Sequence, residues 1–281
     1  MTTNTLTPAP PSSSRPARDG GHDGRARLTF GRILDAEWTK IRTVRSTVWT
    51  LASLFVLSVG LTALICFAAA GELSGSGNDE PVGAFVTWGL MFGQIAALVL
   101  GVLVATSEYS SGMIRTTLAA APRRWSVLAA KTTVLTTVLL VLGTITSTVA
   151  IVAGNFFLDR EGIGFSLGDS DVLRTMVGGG LYLAVLGVFG LALGLLMRHT
   201  AAAVTVGIAL IFIVGNLVGL IPGATGEWLT KLMPGNAGST LATVESFNPD
   251  LLGPWTGFGV FAGETALLLL IAGLLFRKRD A

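Results

Sequence analysis

The chain has 281 residues, of which 51% are apolar and only 13% charged, with 36 glycines and a net charge of +2. Charges at about half the ~25% usual in soluble proteins cannot coat the apolar surface left over, which excludes a soluble globular protein; the hydrophobicity equally excludes a disordered one. One cysteine, Cys66, excludes an internal disulfide framework, and two histidines, His22 and His199, leave little material for zinc.

What remains is an all-α integral membrane protein. Residues 1–28 are rich in Pro, Ser, Thr, Gly and Arg and hold no apolar run, so they read as a disordered cytoplasmic tail and not as a secretory signal. From Thr29 onward, Phe30, Ile33, Leu34, Trp38, Ile41 and Val44 recur at three- and four-residue spacing. Arg32, Asp35, Lys40, Arg42 and Arg45 occupy the other positions. That pattern predicts an amphipathic helix lying in the membrane interface and leading directly into the first span.

Six stretches then reach the ~20 mostly apolar residues that a crossing needs. They predict one membrane domain over residues 29–281, with spans at about 48–70, 84–106, 128–153, 176–197, 201–222 and 257–276. Six crossings put both termini on one side. That side carries every lysine and arginine except Arg160, Arg174 and Lys231, so it is cytoplasmic by the positive-inside rule. Trp49 and Trp125 fall at cytoplasmic span ends, and Trp88, Trp228 and Trp255 near outer ones, as an aromatic belt would place them. The basic balance reflects this asymmetry and is not a nucleic-acid signal.

Within the spans, Gly89, Gly93, Ala97 and Gly101 repeat every four residues, as do Gly190 and Gly194, which marks faces where backbones approach closely. The repeat leaves open whether the neighbour is another span or a second copy of the chain. Lys131, one to two turns into the third span, is expected to snorkel to the cytoplasmic interface. Glu264 is the one charge inside the sixth span. A carboxylate there costs roughly 2.5–3.5 kcal/mol on insertion scales, so it faces protein or water, either as a pathway group or as a structural hydrogen-bonding one. Gln94, Asn155 and Asn216 are further pathway candidates, with helix bridging as their alternative role. The outer segment from about Gly223 to Gly257 is only partly polar, and Trp228, Leu229, Leu232, Met233, Leu241 and Val244 predict short helices dipping back toward the bilayer.

No phosphate loop of the form Gly-x-x-x-x-Gly-Lys-Ser/Thr, no dinucleotide fingerprint and no His-Glu-x-x-His motif is present, so no catalytic or metal residue is assigned. The informative segment runs from Ser107 to Arg124. Ser110 or Ser111 can cap a short helix whose apolar side is Met113, Ile114, Leu118 and Ala121; Pro122 ends it, and Arg123 and Arg124 follow at the cytoplasmic face. Such a helix suits a partner protein or the membrane surface.

Glu108-Tyr109-Ser110-Ser111-Gly112, Ile114-Arg115-Thr116-Thr117-Leu118, Pro122-Arg123-Arg124 and Ala130-Lys131 resemble the first cytoplasmic loop of ATP-binding-cassette permeases of the ABC-2 export type. Leu232-Met233-Pro234-Gly235-Asn236-Ala237 is similar to the Leu-x-Pro-x-x-Ala stretch of that family, and the layout over about residues 28–281 resembles it too. The resemblance implies a plasma-membrane exporter subunit that is not itself an enzyme and binds no cofactor. ATP and Mg would be used by a separate cytoplasmic ATPase, and a second permease copy, identical or homologous, would complete the pathway in the bilayer. It implies that Glu108, Arg115, Pro122, Arg123 and Arg124 belong to a short coupling helix and its flanks, which contact the ATPase. An ion-coupled secondary transporter, an intramembrane hydrolase using His199 and a non-transporting scaffold are the alternatives.

Overall fold

A computed structural model describes residues 29–75, 80–110 and 124–278. Helix α1 is Phe30–Thr43; a single extended residue, Val44, separates it from α2, Arg45–Leu73. The short α3, Val82–Phe85, leads by a turn into α4, Leu90–Ser110, and α5 is Arg124–Arg160. Helix α6, Ser170–Met197, ends on Arg198 in the left-handed conformation (φ 53°), which reverses the chain at once into α7, Thr200–Ile208. The same rod continues as a π-helical turn, Ala209–Val214, and as α8, Gly215–Val218. Then follow α9, Ala224–Leu232, α10, Pro234–Ser239, with a 3₁₀ turn at Thr240–Ala242, and α11, Pro254–Lys278. Among the described residues there is no strand.

Among the described residues, six helical stretches are long and apolar enough to cross a membrane: Arg45–Leu73, Val82–Tyr109, Trp125–Arg160, Ser170–Met197, Thr200–Val218 and Pro254–Arg277. They are not equivalent. The most apolar part of α6 is 78% buried inside the protein, against 22% for the first, fifth and sixth spans, so α6 is the central helix of the bundle. It packs on α4, α5, α7 and α11.

The small residues show how α4 manages this. A methyl group on Gly101 would sit 1.9 Å from the carbonyl oxygen of Gly187 on α6, so the two backbones touch where neither has a side chain. One on Gly93 would meet Ser58 Oγ of α2 at 2.1 Å. The four-residue repeat of α4 thus meets two other spans of the same chain, one toward each end.

At the end of the bundle remote from α1, the segment before the sixth span folds inward. Gly235, Ala237, Gly238, Thr240, Leu241 and Ala242 are buried, and Gly235 abuts the Ile211 carbonyl in the π-helical turn. Arg174 at the start of α6 holds this segment: its guanidinium donates to the carbonyls of Thr240 (3.3 Å), Leu241 (3.3 Å) and Thr243 (3.2 Å). The loop after α5 is held similarly by the Asn155 side-chain amide, which donates to the Phe165 carbonyl and accepts from the Phe165 N–H.

Candidate functional site

Four ionisable side chains meet where α1, the end of α4 and the start of α5 converge. Helix periodicity puts Glu37 and Lys40, three apart, beside Ile41 on one side of α1. Lys40 Nζ donates to Glu37 Oε1 and to Glu108 Oε1, each at 2.7 Å. Lys131 Nζ donates to Glu37 Oε2 at 2.9 Å and to Glu108 Oε1 at 2.6 Å. The result is a closed ring of two ammonium and two carboxylate groups, neutral as a whole.

Glu37, Glu108 and Lys131 are each about nineteen-twentieths buried, at 5%, 4% and 6% exposure. Charges so placed need partners, because desolvating an ion costs several kcal/mol unless its neighbours repay it. The Lys40 side chain keeps 33% of its surface. Burial works against its ammonium, but the hydrogen bonds to Glu108 and Glu37 and their charges outweigh that penalty and hold its pKa above the usual lysine value. Glu108 Oε2 is buried with no hydrogen-bond partner among the described residues. The ring can therefore lock α1 to two spans at once, and shifting one member leaves each of its two partners with a single counter-ion.

The end of α4 is also tied on its other side. The Arg198 guanidinium lies 5.2 Å from the centre of the Tyr109 ring, and Thr200 Oγ1 donates to Thr106 Oγ1 at 2.8 Å. His199 is used locally, its Nδ1 accepting from the Ala202 N–H to cap α7. Among the described residues no group of three or more His, Cys, Asp or Glu is placed to hold a metal ion.

Of the residues singled out in the sequence, Glu108 stands in the ring. Arg115, Pro122 and Arg123 lie outside the described residues, as do the tail 1–28 and the side chain of Arg124. Lys131 does not snorkel: its ammonium turns inward because two buried carboxylates offer more than the interface does. The single apolar face drawn on α1 divides. Ile41 is buried and Ile33 and Leu34 are half-buried toward the protein, whereas Phe30 and Trp38 are 46% and 45% exposed.

The pathway candidates also separate. Gln94 and Asn216 line one cavity at the remote end, Asn155 clamps the 160s loop, and Glu264 lies apart with its Oε2 buried and unpartnered among the described residues. Sequence reasoning missed Glu37 and Lys40 as site residues. The available signal was the spacing Ile33, Glu37, Ile41, which sets a carboxylate on the inward side of α1.

This architecture, with six helices among the described residues able to span a membrane and one of them central, is that of a multi-pass helical membrane protein. Residues 46–281 match the family described as "Protein of unknown function (DUF2705)", and the chain belongs to that family. A comparison with curated proteins finds no match.

Proposed function

We propose that the chain is the permease subunit of an ATP-driven ABC-2 type exporter, and that the Glu37–Lys40–Glu108–Lys131 ring is its force-transmitting joint. The observation that carries this reading is that both flanks of the 111–123 segment end in the ring: Glu108 just before it and Lys131 soon after it, with α1 held between them. In this reading the segment, with Arg115, Pro122, Arg123 and Arg124, docks on a cytoplasmic ATPase that uses ATP and Mg. Closure of the ATPase pushes the segment, and the ring carries the displacement to α1 and, through Val44, to the first span. Tyr109 and Thr106 carry it to the turn between the fourth and fifth spans. Both termini are cytoplasmic, α1 rests in the plasma-membrane interface on Phe30 and Trp38, and a second permease copy completes the pathway.

The test is purification of the tagged full chain from its native membrane in mild detergent, with ATP hydrolysis assayed on what co-purifies. A stoichiometric phosphate-loop ATPase is expected, lost on charge reversal at Arg115 and uncoupled from transport on reversal at Glu108. An intact complex that contains no ATPase under several mild conditions would sink the proposal. In that case an ion-coupled transporter takes its place, since the buried, unpartnered Oε2 of Glu264 is the kind of intramembrane carboxylate such a mechanism needs.

A further inference from the structure

The cavity shared by Gln94 and Asn216 is a second built site, far from the ion ring. It has a volume of about 250 Å³ and lies between the start of the second span, α6, the π-helical turn and α10. Its lining mixes apolar groups, Trp88, Met91 and Phe212, with polar ones, Gln94, Asn216 and Asn236. Among the described residues lining it, none is acidic or basic.

Gln94 is a buried polar side chain of this lining, and a buried carboxamide is costly unless paired. Tyr182, 2% exposed, donates its hydroxyl to Gln94 Oε1, and Gln94 is 8% exposed. That bond holds the carboxamide by its oxygen, so a ligand would be met by its N–H donors. The Asn216 amide donates to the Phe212 carbonyl at 2.6 Å, which leaves its oxygen as an acceptor in the wall. Phe212 itself projects from a π-helical turn, a rare geometry that occurs frequently at functional sites. The cavity thus offers fixed neutral donors and acceptors beside aromatic and thioether groups, the usual make-up of a small-molecule site.

We propose that this cavity binds an uncharged amphiphile, with an apolar group against Trp88, Met91 and Phe212 and a carbonyl, ether or hydroxyl oxygen accepting from the Gln94 amide. A charged ligand would be stripped of water with no counter-charge in the wall. Binding of this kind does not require an ATPase, so it stands or falls apart from the export reading; if that reading holds, the cavity names the chemical class of a cargo.

The experiment uses the full chain in phosphatidylcholine nanodiscs without any partner protein. It is photolabelled with monodecanoylglycerol carrying a diazirine in its chain, and with the matching decanoate and decylamine as charged counterparts. Labelled positions are read by peptide mass spectrometry. The neutral probe is expected to label residues 87–94 and 211–216 saturably, in competition with unlabelled monodecanoylglycerol, while labelling of lipid-facing Phe67 on α2 does not saturate. Gln94→Leu should weaken the saturable labelling about tenfold, the scale of one lost buried hydrogen bond. Asn216→Asp, at an exposed position that keeps its shape, should turn the preference toward decylamine. Non-saturable labelling throughout, equal saturation by the charged probes, or a preference unmoved by Asn216→Asp would overturn the proposal.

Discussion

Lys131, two turns into α5, hydrogen-bonds Glu37 on α1 at 2.9 Å, although the two are 94 positions apart in the chain. The contact joins the helix before the first span to the third span and skips the two between, so it reports on packing that no local signal specifies.

Removing one charge from the ring should therefore hurt more than removing two. Lys131→Met leaves Glu37 and Glu108 facing each other without their shared buried cation, and a loss of about 3–5 kcal/mol is expected. The double variant Lys131→Met with Glu37→Gln should regain part of it. Thermal unfolding in detergent, followed by size-exclusion fluorescence, gives the cycle; strictly additive losses would mean that the two groups are not coupled.

The pH response should sit on the alkaline side. The folded-state pKa of Lys40 is raised by its two carboxylates over the opposing effect of burial. Its contribution is thus fully present below the unfolded lysine pKa of ~10.4 and is lost as pH rises through the higher folded value. Melting temperature measured from pH 8 to 11 should fall at the top of that window for the wild type, and less for Lys40→Gln. Parallel curves for the two proteins would show that Lys40 contributes nothing to that fall.

Gly101 and Gly60 make a matched pair. A methyl on Gly101 meets the Gly187 backbone at 1.9 Å, whereas one on Gly60 meets nothing within 4 Å. Gly101→Ala should cost about 1–3 kcal/mol or more by forcing α4 from α6, and Gly60→Ala should fold with wild-type yield. Comparable yields of monodisperse protein from both variants would contradict the packing of α4 on the central helix.

The spans and the close-packing faces were legible in the sequence because each has a local signature: an apolar run of sufficient length, or small residues in four-residue register. The short helices before the sixth span were legible for the same reason, in the mixed pattern around Trp228 and Leu241. The ion ring was not. Lys131 looks like a residue that can reach water, and only the fold shows two carboxylates closer at hand. On α1, Phe30 and Trp38 dominate the apolar pattern, so the inward side carrying Glu37 and Ile41 is masked by the side left exposed. Asn155 and Gln94 are alike in sequence, both amides within spans. One clamps a loop and the other faces a cavity, a difference that depends wholly on which neighbours the tertiary structure brings.

The two polar anchors differ in the direction along the chain from which their partners come. Glu37 and Glu108, which receive Lys131, both precede it. Thr240, Leu241 and Thr243, which receive Arg174, all follow it, 66 to 69 positions later. For a polypeptide emerging from the ribosome, the ammonium of the third span finds its counter-ions already made. The guanidinium of the fourth must wait for the fifth span and the inward-folded segment beyond it. During biogenesis the end bearing α1 can close early, and the opposite end can close only once the approach to the last span has been synthesised.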